Sequence, residues 1–195
     1  MEGLVADIYR DIEAEIPRLR RYARVLVHDH SGADDLVQDC LVRALAKLHL
    51  WQEGSNLRAW LFAILHNQHI NQIRRNLRSG SPVQLNEADP QLSRPASQDK
   101  RLELRDLERA LTRLPEEQRA AILLVGLEGF AYQQVAEILG VPTGTVRSRI
   151  SRGRDALRRM MGAGADQPVD QPDDEYRRAP QAHRRSSTVG MAMPS

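Results

Sequence analysis

Residues 130–159 constrain the fold of this chain more than any other part of the sequence. They predict a short helix, a break at Gly140-Val141-Pro142 and a second helix rich in arginine. Glycine can adopt the left-handed conformation that ends a helix, and proline is tolerated at a helix start. The pattern is therefore typical of a helix-turn-helix, whose second helix enters the major groove of DNA.

The second of these helices has an apolar seam and a polar outer face. Val146, Ile150, Gly153 and Leu157 recur at helical spacing, so we expect them to be buried. A solvated amphipathic helix is the alternative, since binary patterning is common. An arginine-rich face beside a Gly-x-Pro turn favours DNA binding, because guanidinium and hydroxyl groups bond to phosphates and guanine edges. The candidate groups are Thr143, Arg147, Ser148, Arg149, Ser151, Arg152 and Arg154.

The composition indicates a soluble helical protein with locally concentrated charge. Among 195 residues, 41% are hydrophobic and 28% charged, yet the formal net charge is only +2. Basic residues cluster at residues 147–159, in the second helix of the helix-turn-helix, and at residues 73–78. This separation suggests different partners for different faces. The single Cys40 excludes an internal disulfide and a thiolate metal cluster. We see no signal peptide and no apolar run of membrane-spanning length, so we expect a cytoplasmic protein.

Helical periods predominate along the chain, and the sequence predicts an all-α fold of two small helical domains joined by a flexible linker. In residues 1–78, a first helix has Pro17 in its first turn, a second spans residues 31–50 from a capping box at Ser31, and a third spans residues 56–76. Residues 79–99 contain Gly80, three prolines and several Ser and Gln residues without a period, and they predict the linker.

The second domain is predicted at residues 100–161, with the four-helix, winged-helix-like form of the helix-turn-helix. Leu104, Leu107, Leu111 and Leu114 form an apolar stripe on its first helix. Pro115 and the two glutamates after it start the next helix, which should end near Gly126. Residues 162–195 have no apolar face and predict a disordered tail.

Three stretches in this order resemble the extracytoplasmic-function group of bacterial RNA polymerase sigma factors. They are DDLVQDCLVRAL at residues 34–45, NLRAWLFAILHNQHINQIRR at residues 56–75, and residues 114–158, which include GTVRSR after the Gly-x-Pro turn. The resemblance implies a non-enzymatic protein that binds core RNA polymerase and reads duplex DNA at the −35 element and single-stranded DNA at the −10 element. It also implies control by an anti-sigma factor.

The helix over residues 31–50 carries the expected polymerase-binding face. Its spacing buries an apolar stripe and turns carboxylates, an amide and border leucines outward, which suits a protein interface. By resemblance, this face contacts the clamp helices of the largest polymerase subunit through Asp35, Gln38, Asp39 and Leu41. Many family members have an aromatic residue where this chain has Leu41.

The third helix and the loop before it resemble the element of the family that melts and reads the −10 region. Capturing an unpaired strand requires a basic track and base contacts. The expected residues are Asn56, Asn67, Asn71, Arg74, Arg75 and Arg78. Trp60 and Phe62 are alternative stacking platforms, but the register of Trp60 favours a core position.

At the −35 element, the resemblance assigns base edges to Arg147, Ser148 and Arg152, and phosphates to Thr143, Thr145, Arg149 and Arg154. Ala131 occupies a helix-cap position where relatives usually have Ser or Thr, and losing that cap costs about 1 kcal/mol.

Three other features receive a structural interpretation. Neither His66 with His69 nor His28 with His30 has a carboxylate or thiol at metal-binding spacing, so we expect no metal site and no cofactor. Cys40 lies on the buried stripe and is interpreted as a core residue.

Two other functions stay open: a dimeric helix-turn-helix regulator that never opens DNA, and an interaction module that titrates an inhibitor.

Overall fold

The computed structural model describes residues 2–27, 29–52, 54–79 and 98–162. These ranges hold seven α-helices and one short 3-10 helix and contain no strand, which confirms the all-α prediction. The helices are α1 (Glu2–Val27), α2 (His30–Ala46), the 3-10 helix (Leu48–Leu50), α3 (Leu57–Ser79), α4 (Gln98–Thr112), α5 (Glu116–Gly126), α6 (Tyr132–Leu139) and α7 (Thr143–Met160). Residues 80–97 of the predicted linker and 163–195 of the predicted tail lie outside the described residues. No helix within these ranges is both long and apolar enough to cross a membrane.

Helices α1 to α3 form the N-terminal bundle, and α2 contributes the apolar stripe that the sequence predicts. The buried residues of α2 are Ala33, Leu36, Val37, Cys40 and Ala44. The Cys40 sulfur lies 3.5 Å from the carbonyl oxygen of Leu61 on α3, and burial raises the pKa of this thiol to about 12. A neutral, buried thiol of this kind behaves as a small core residue, which confirms the interpretation of Cys40.

The start of α2 differs from the predicted capping box. Asp29, not Ser31, is the N-cap residue, and its carboxylate accepts a hydrogen bond of 2.7 Å from the backbone nitrogen of Gly32. The helix therefore begins at His30, and it ends at Ala46 rather than continuing to Leu50. A carboxylate at the cap position satisfies a free N–H group and also stabilises the positive end of the helix dipole.

We expect Asp29→Ala to lower the free energy of unfolding by about 1 kcal/mol, because it removes this cap. Ser31→Ala is the matched control, since Ser31 is exposed and already inside the helix, and it should change stability by less than about 0.5 kcal/mol. Urea unfolding followed by circular dichroism measures both. A larger loss of stability for Ser31→Ala than for Asp29→Ala would instead identify Ser31 as the cap residue.

Pro17 lies inside α1 and not in its first turn, so that prediction is wrong. A proline in a helix interior removes one hydrogen bond and costs about 3 kcal/mol. The helix continues past it because Leu19, Tyr22, Ala23 and Leu26 are all buried against the rest of the bundle. Burying such side chains contributes roughly 1.5–3 kcal/mol each for the larger ones, which outweighs the local defect.

Helices α4 to α7 form the C-terminal bundle, whose helix starts and stops follow the sequence closely. Pro115 precedes α5, and Gly140 ends α6 in the left-handed conformation with φ 64°. Gly153 lies where α7 crosses α5, and a Cβ atom there would come within 2.5 Å of the Cδ1 atom of Ile122. One difference concerns α4: Leu104 is exposed, although Leu111 and Leu114 of the same predicted stripe are buried.

The two bundles pack against each other and share buried aromatic residues. Phe62 on α3 lies with its ring centroid 5.4 Å from that of Tyr22 on α1 and 5.1 Å from that of Phe130, which precedes α6. All three rings are almost fully buried. The packing of α3 against α6 therefore positions the helix-turn-helix beside the third helix of the N-terminal bundle.

Candidate nucleic-acid interface

The α7 helix presents most of its predicted DNA-binding groups away from its buried seam. Val146, Ile150 and Gly153 are buried as predicted, whereas Leu157 is half-buried. Arg147, Ser151 and Arg152 are exposed on the opposite side, and Thr143, Thr145, Ser148 and Arg154 are half-buried. The Ser148 hydroxyl donates a hydrogen bond of 2.9 Å to the carbonyl oxygen of Thr145, so its lone pairs remain available as acceptors.

Arg149 does not lie free on the outer face. Its side chain is only 18% exposed, and its guanidinium bonds to the Glu117 carboxylate on α5 at 2.7 Å. Arg149 also lines a cleft of about 240 Å³ toward α3. The helical spacing of α7 predicted the position of Arg149 on the helix. It could not predict the partner Glu117, which lies 32 positions earlier in the chain.

The turn before α6 compensates for the missing hydroxyl cap at Ala131. The side-chain carbonyl oxygen of Gln134 accepts a hydrogen bond of 3.0 Å from the Ala131 backbone nitrogen. This bond satisfies one free donor at the start of the helix, which is half of a capping box. The helix-turn-helix therefore has a defined entry without Ser or Thr at that position.

The predicted polymerase-binding face of α2 is exposed. Asp35, Gln38 and Asp39 are accessible, and Leu41 is half-buried at the border. Val42 and Leu45 beside them are also exposed, at 60% and 43%. Apolar side chains exposed next to carboxylates are typical of a surface that binds another protein.

The predicted −10 residues divide into two groups. Asn67, Asn71, Arg74, Arg75 and Arg78 are exposed along α3. Asn56, in the loop before α3, is also exposed, and its side-chain oxygen caps this helix by accepting a hydrogen bond of 3.0 Å from the Ala59 backbone nitrogen. Phe62 is fully buried and not accessible to a base, and Trp60 is half-buried against the core, as its register predicted.

The cleft between the bundles brings predicted −10 and −35 residues together. Residues from α3 form one wall and residues of α5 to α7 the other. The lining residues are His66, Asn67, Ile70, Asn71, Arg74, Glu117, Leu139, Val141 and Arg149. Arg149 of the predicted −35 set therefore lies across this cleft from Asn67, Asn71 and Arg74 of the predicted −10 set.

His66 and His69 have separate protein environments on α3. The Nε2 atom of His69 lies 2.9 Å from the Glu116 carboxylate of α5, which also pairs with Arg119. Burial alone would raise the pKa of Glu116, but the hydrogen bond from His69 and the charge of Arg119 hold it below its ordinary value. No group of three potential metal ligands occurs in the part of the chain that the structure describes. His28 and the side chain of His30 lie outside it.

Burial lowers the pKa of His66 to about 4, with a further contribution from His69. The folded state therefore holds this imidazole neutral, whereas the unfolded state protonates it below about pH 6.5. By linkage, stability falls as the pH falls through this window. His69, Glu116 and Arg149 are the charged or titratable neighbours that act on His66.

We expect the contribution of His66 to reduce the free energy of unfolding by about 1 kcal/mol between pH 7 and pH 5.5. Replacing it in a His66→Gln variant should remove that part of the pH dependence, while the exposed His49 in a His49→Gln control should leave it unchanged. Chemical denaturation at the two pH values measures the slope. If the free energy of unfolding changed equally between the two pH values in wild type and His66→Gln, a buried, neutral His66 would be contradicted.

Three charged residues that join the bundles were not predicted from the sequence. Glu128, between α5 and α6, has a side chain with no exposed area. Arg21 of α1 bonds to its Oε1 atom at 2.9 Å, and Arg58 of α3 bonds to its Oε2 atom at 3.0 Å. Arg58 also bonds to the Glu128 backbone oxygen and lies 4.4 Å from the centroid of the Phe130 ring. The only sequence signal was an acidic residue beside Gly129 in an apolar region.

Two family models match the two helical regions. Residues 12–66 match the Sigma2 domain of PhyR, and residues 104–157 match Sigma-70, region 4. Among curated proteins, the chain is similar to the ECF RNA polymerase sigma factor EcfG of Rhodopseudomonas palustris. The two are 40% identical over 167 residues, which covers 86% of this chain and 91% of that protein.

Solved structures resemble the fold over most of the chain. The sigma factor RpoE of Bartonella quintana, in complex with the anti-sigma factor NepR, is 36% identical with a TM-score of 0.68 and covers 85% of this chain and 99% of RpoE. The anti-anti-sigma factor PhyR of the same organism, also in complex with NepR, is 18% identical with a TM-score of 0.52. That likeness covers 78% of this chain and 49% of PhyR and extends to the fold alone.

Proposed function

Because this chain belongs to the family of extracytoplasmic-function RNA polymerase sigma factors, we propose that it binds core RNA polymerase and directs transcription initiation at promoters with −35 and −10 elements. One observation carries the proposal. The same chain combines an exposed arginine face on the second helix of a helix-turn-helix with an exposed acidic and apolar face on α2.

Each proposed contact follows from side-chain chemistry. Arg147 and Arg152 are exposed and can bond to guanine edges in duplex DNA. We assign Thr143, Thr145 and Arg154 to phosphates, because hydroxyl and guanidinium groups donate hydrogen bonds to phosphate oxygens. On α3, Arg74, Arg75 and Arg78 provide positive charge for a single strand, and Asn67 and Asn71 provide amides for base edges. Asp35, Gln38, Asp39 and Leu41 bind the polymerase clamp helices.

An anti-sigma factor is the further partner that we propose. RpoE, the sigma factor with 36% identity to this chain, is in complex with the anti-sigma factor NepR in its solved structure. The likeness covers nearly all of RpoE, so the surfaces that such an inhibitor needs have counterparts here. Affinity capture with this chain as bait would identify the inhibitor.

A second candidate function is titration of an anti-sigma factor by a sigma-like domain that does not act on promoters. The match of residues 12–66 to the Sigma2 domain of PhyR favours it, because the solved PhyR is an anti-anti-sigma factor. The arginine face of α7 argues against it, since a decoy has no need for groups that bond to bases.

The two candidates and an ordinary duplex-binding regulator differ in whether DNA opens. We would select genomic fragments that are retained by core polymerase together with this protein and probe them with permanganate, which modifies unpaired thymines. Reactive thymines only when both proteins are present support the sigma function. Fragment binding by the chain alone with no reactive thymines would favour the regulator, and no retention at all would favour the decoy.

A further inference from the structure

The α7 helix is held against α5 by two contacts that lie about one helical turn apart. At Gly153, a Cβ atom would lie 2.5 Å from the Cδ1 atom of Ile122 and 3.3 Å from the Cβ atom of Gln118, so the two helices approach closely. One turn earlier on α7, the guanidinium of Arg149 bonds to the Glu117 carboxylate of α5 at 2.7 Å. The first contact fixes the distance between the helices, and the second restrains α7 beside its buried seam.

Arg149 lies at the border between the buried seam of α7 and its outer face. In a helix of 3.6 residues per turn, its position is about 160° around the axis from that of Arg147. Its side chain is 18% exposed, and its guanidinium is already bonded to a carboxylate. A DNA phosphate would therefore have to compete with Glu117 for a group that is mostly covered.

The pair of Glu117 and Arg149 is better suited to orient α7 than to stabilise the fold. The side chain of Glu117 is 68% exposed, and ion pairs with an exposed partner contribute little to stability. A bond between a guanidinium and a carboxylate is nevertheless directional, because the planar group offers its donors in a fixed fork. Side chains that bind a ligand specifically need such support, since they have to be held to within about 0.5 Å.

We propose that Glu117 is a positioning residue for promoter recognition. Acting through Arg149, it holds α7 at the rotation at which Arg147 and Arg152 reach the base edges of the −35 element. The inference rests on the proposed function for this consequence. It gives Arg149 a role within the protein in place of the phosphate contact that the family resemblance implies.

Sequence discrimination by the full chain with core polymerase tests this role. Glu117→Gln, Arg149→Gln and the double variant remove the charges but keep polar side chains of similar size. Dissociation constants are measured for a promoter fragment retained by the wild-type proteins and for the same fragment with one guanine of the −35 element replaced. A variant that is partly unfolded loses affinity for both fragments equally, so the ratio of the two constants reports the orientation of α7.

We expect the ratio to fall about fivefold or more in each single variant, which is the smallest discrimination that a bidentate contact to guanine provides. The double variant should lose no more than either single variant, because the two residues act as one unit. Asp106→Asn is the control, since it removes another exposed carboxylate that pairs with an arginine, Arg109, but on α4. Its ratio should equal that of wild type.

The salt dependence of binding separates positioning from a phosphate contact. Loss of one phosphate contact lowers the slope of log affinity against log salt concentration by about 0.9. We expect this change in Arg154→Gln, which removes a proposed phosphate contact, and an unchanged slope in Arg149→Gln. An equal fall in both variants would make Arg149 a phosphate contact and overturn the proposal.

Two further results would also overturn the positioning role. One is an unchanged ratio in Glu117→Gln, and the other is an equal fall of the ratio in Asp106→Asn, which would indicate general electrostatics. If the wild-type proteins retained no promoter fragment, the proposed function would fail instead. Urea unfolding of the free chain would then still test the pair, because additive losses of stability in Glu117→Gln and Arg149→Gln would show that the two residues are not coupled.

Discussion

Reversing the charge at Asp39 should abolish initiation that depends on this protein. Asp39 lies on the exposed face of α2, between carboxylates, an amide and exposed apolar side chains. We expect Asp39→Arg to weaken the affinity for core polymerase by roughly 30-fold or more, since a charge mismatch inside an interface costs about 2–5 kcal/mol. Titration of core polymerase with dye-labelled protein measures the dissociation constants.

Asp34→Arg is the matched control for this variant. It makes the same change of charge on the same helix, at an exposed carboxylate that pairs with Arg20 at 3.5 Å and is not one of the predicted contact residues. An exposed pair of this type contributes little to stability, so the control should fold and bind like wild type. Equal losses for Asp34→Arg and Asp39→Arg would indicate long-range electrostatics rather than a defined docking face.

Removing the Arg147 side chain should weaken binding to the −35 element and relax its sequence preference. Arg147 is exposed on α7 and makes no ion pair among the described residues, so its guanidinium is available to bond to a guanine edge. A bidentate contact of this kind contributes about 1–3 kcal/mol of discrimination. We therefore expect Arg147→Ala to reduce promoter occupancy by the holoenzyme about 10- to 100-fold and to reduce the penalty of a base change at one position.

Arg158→Ala is the control for Arg147→Ala. It removes an arginine from the same helix, but one in the last turn that already pairs with Asp155 at 2.8 Å. Arg158→Ala should weaken binding less than Arg147→Ala does. The loss should be equal for all promoter sequences, because we expect Arg158 to contact only the phosphate backbone. Binding of both variants to matched and single-mismatch promoters separates the two effects. A uniform loss for Arg147→Ala would make it a phosphate contact instead.

Local sequence signals predicted the helix-turn-helix well because each of its features depends on nearby residues. The left-handed Gly140, the start of α5 after Pro115 and the buried Val146 and Ile150 all follow from spacing and from backbone preferences. The faces of α2 were predicted for the same reason. Such features need no information about the rest of the fold.

Features that depend on distant residues were not predicted. Glu128 and Arg21 are 107 positions apart, and Glu128 and Arg58 are 70 positions apart. A single sequence contains no signal for which charges pair over such distances. The same limit explains Arg149, which was assigned to the outer face but pairs with Glu117, 32 positions earlier in the chain.

Two local predictions failed because stronger alternatives were close by. Ser31 had the sequence form of a capping box, but Asp29 lies two residues earlier and reaches the Gly32 nitrogen. A carboxylate competes well with a hydroxyl for this position because it also interacts with the helix dipole. Pro17 was assigned to a helix start, but the apolar stripe on both sides of it extends α1.

The packing of the bundles changes how the predicted DNA surfaces relate to each other. Each surface could be predicted from its own helix, but their position across one cleft follows only from the buried contacts of Phe62, Phe130 and Glu128. The exposed face of α2 takes no part in this cleft.

Runoff transcription with purified core polymerase on fragmented genomic DNA, with and without this protein, tests the central claim most directly. The account predicts transcripts that depend on the protein, that disappear with Asp39→Arg, that are strongly reduced with Arg147→Ala and that persist with Asp34→Arg. Aligned start sites of these transcripts would also reveal the promoter elements. Specific binding of the protein alone to duplex DNA, without any such transcripts, would contradict the account.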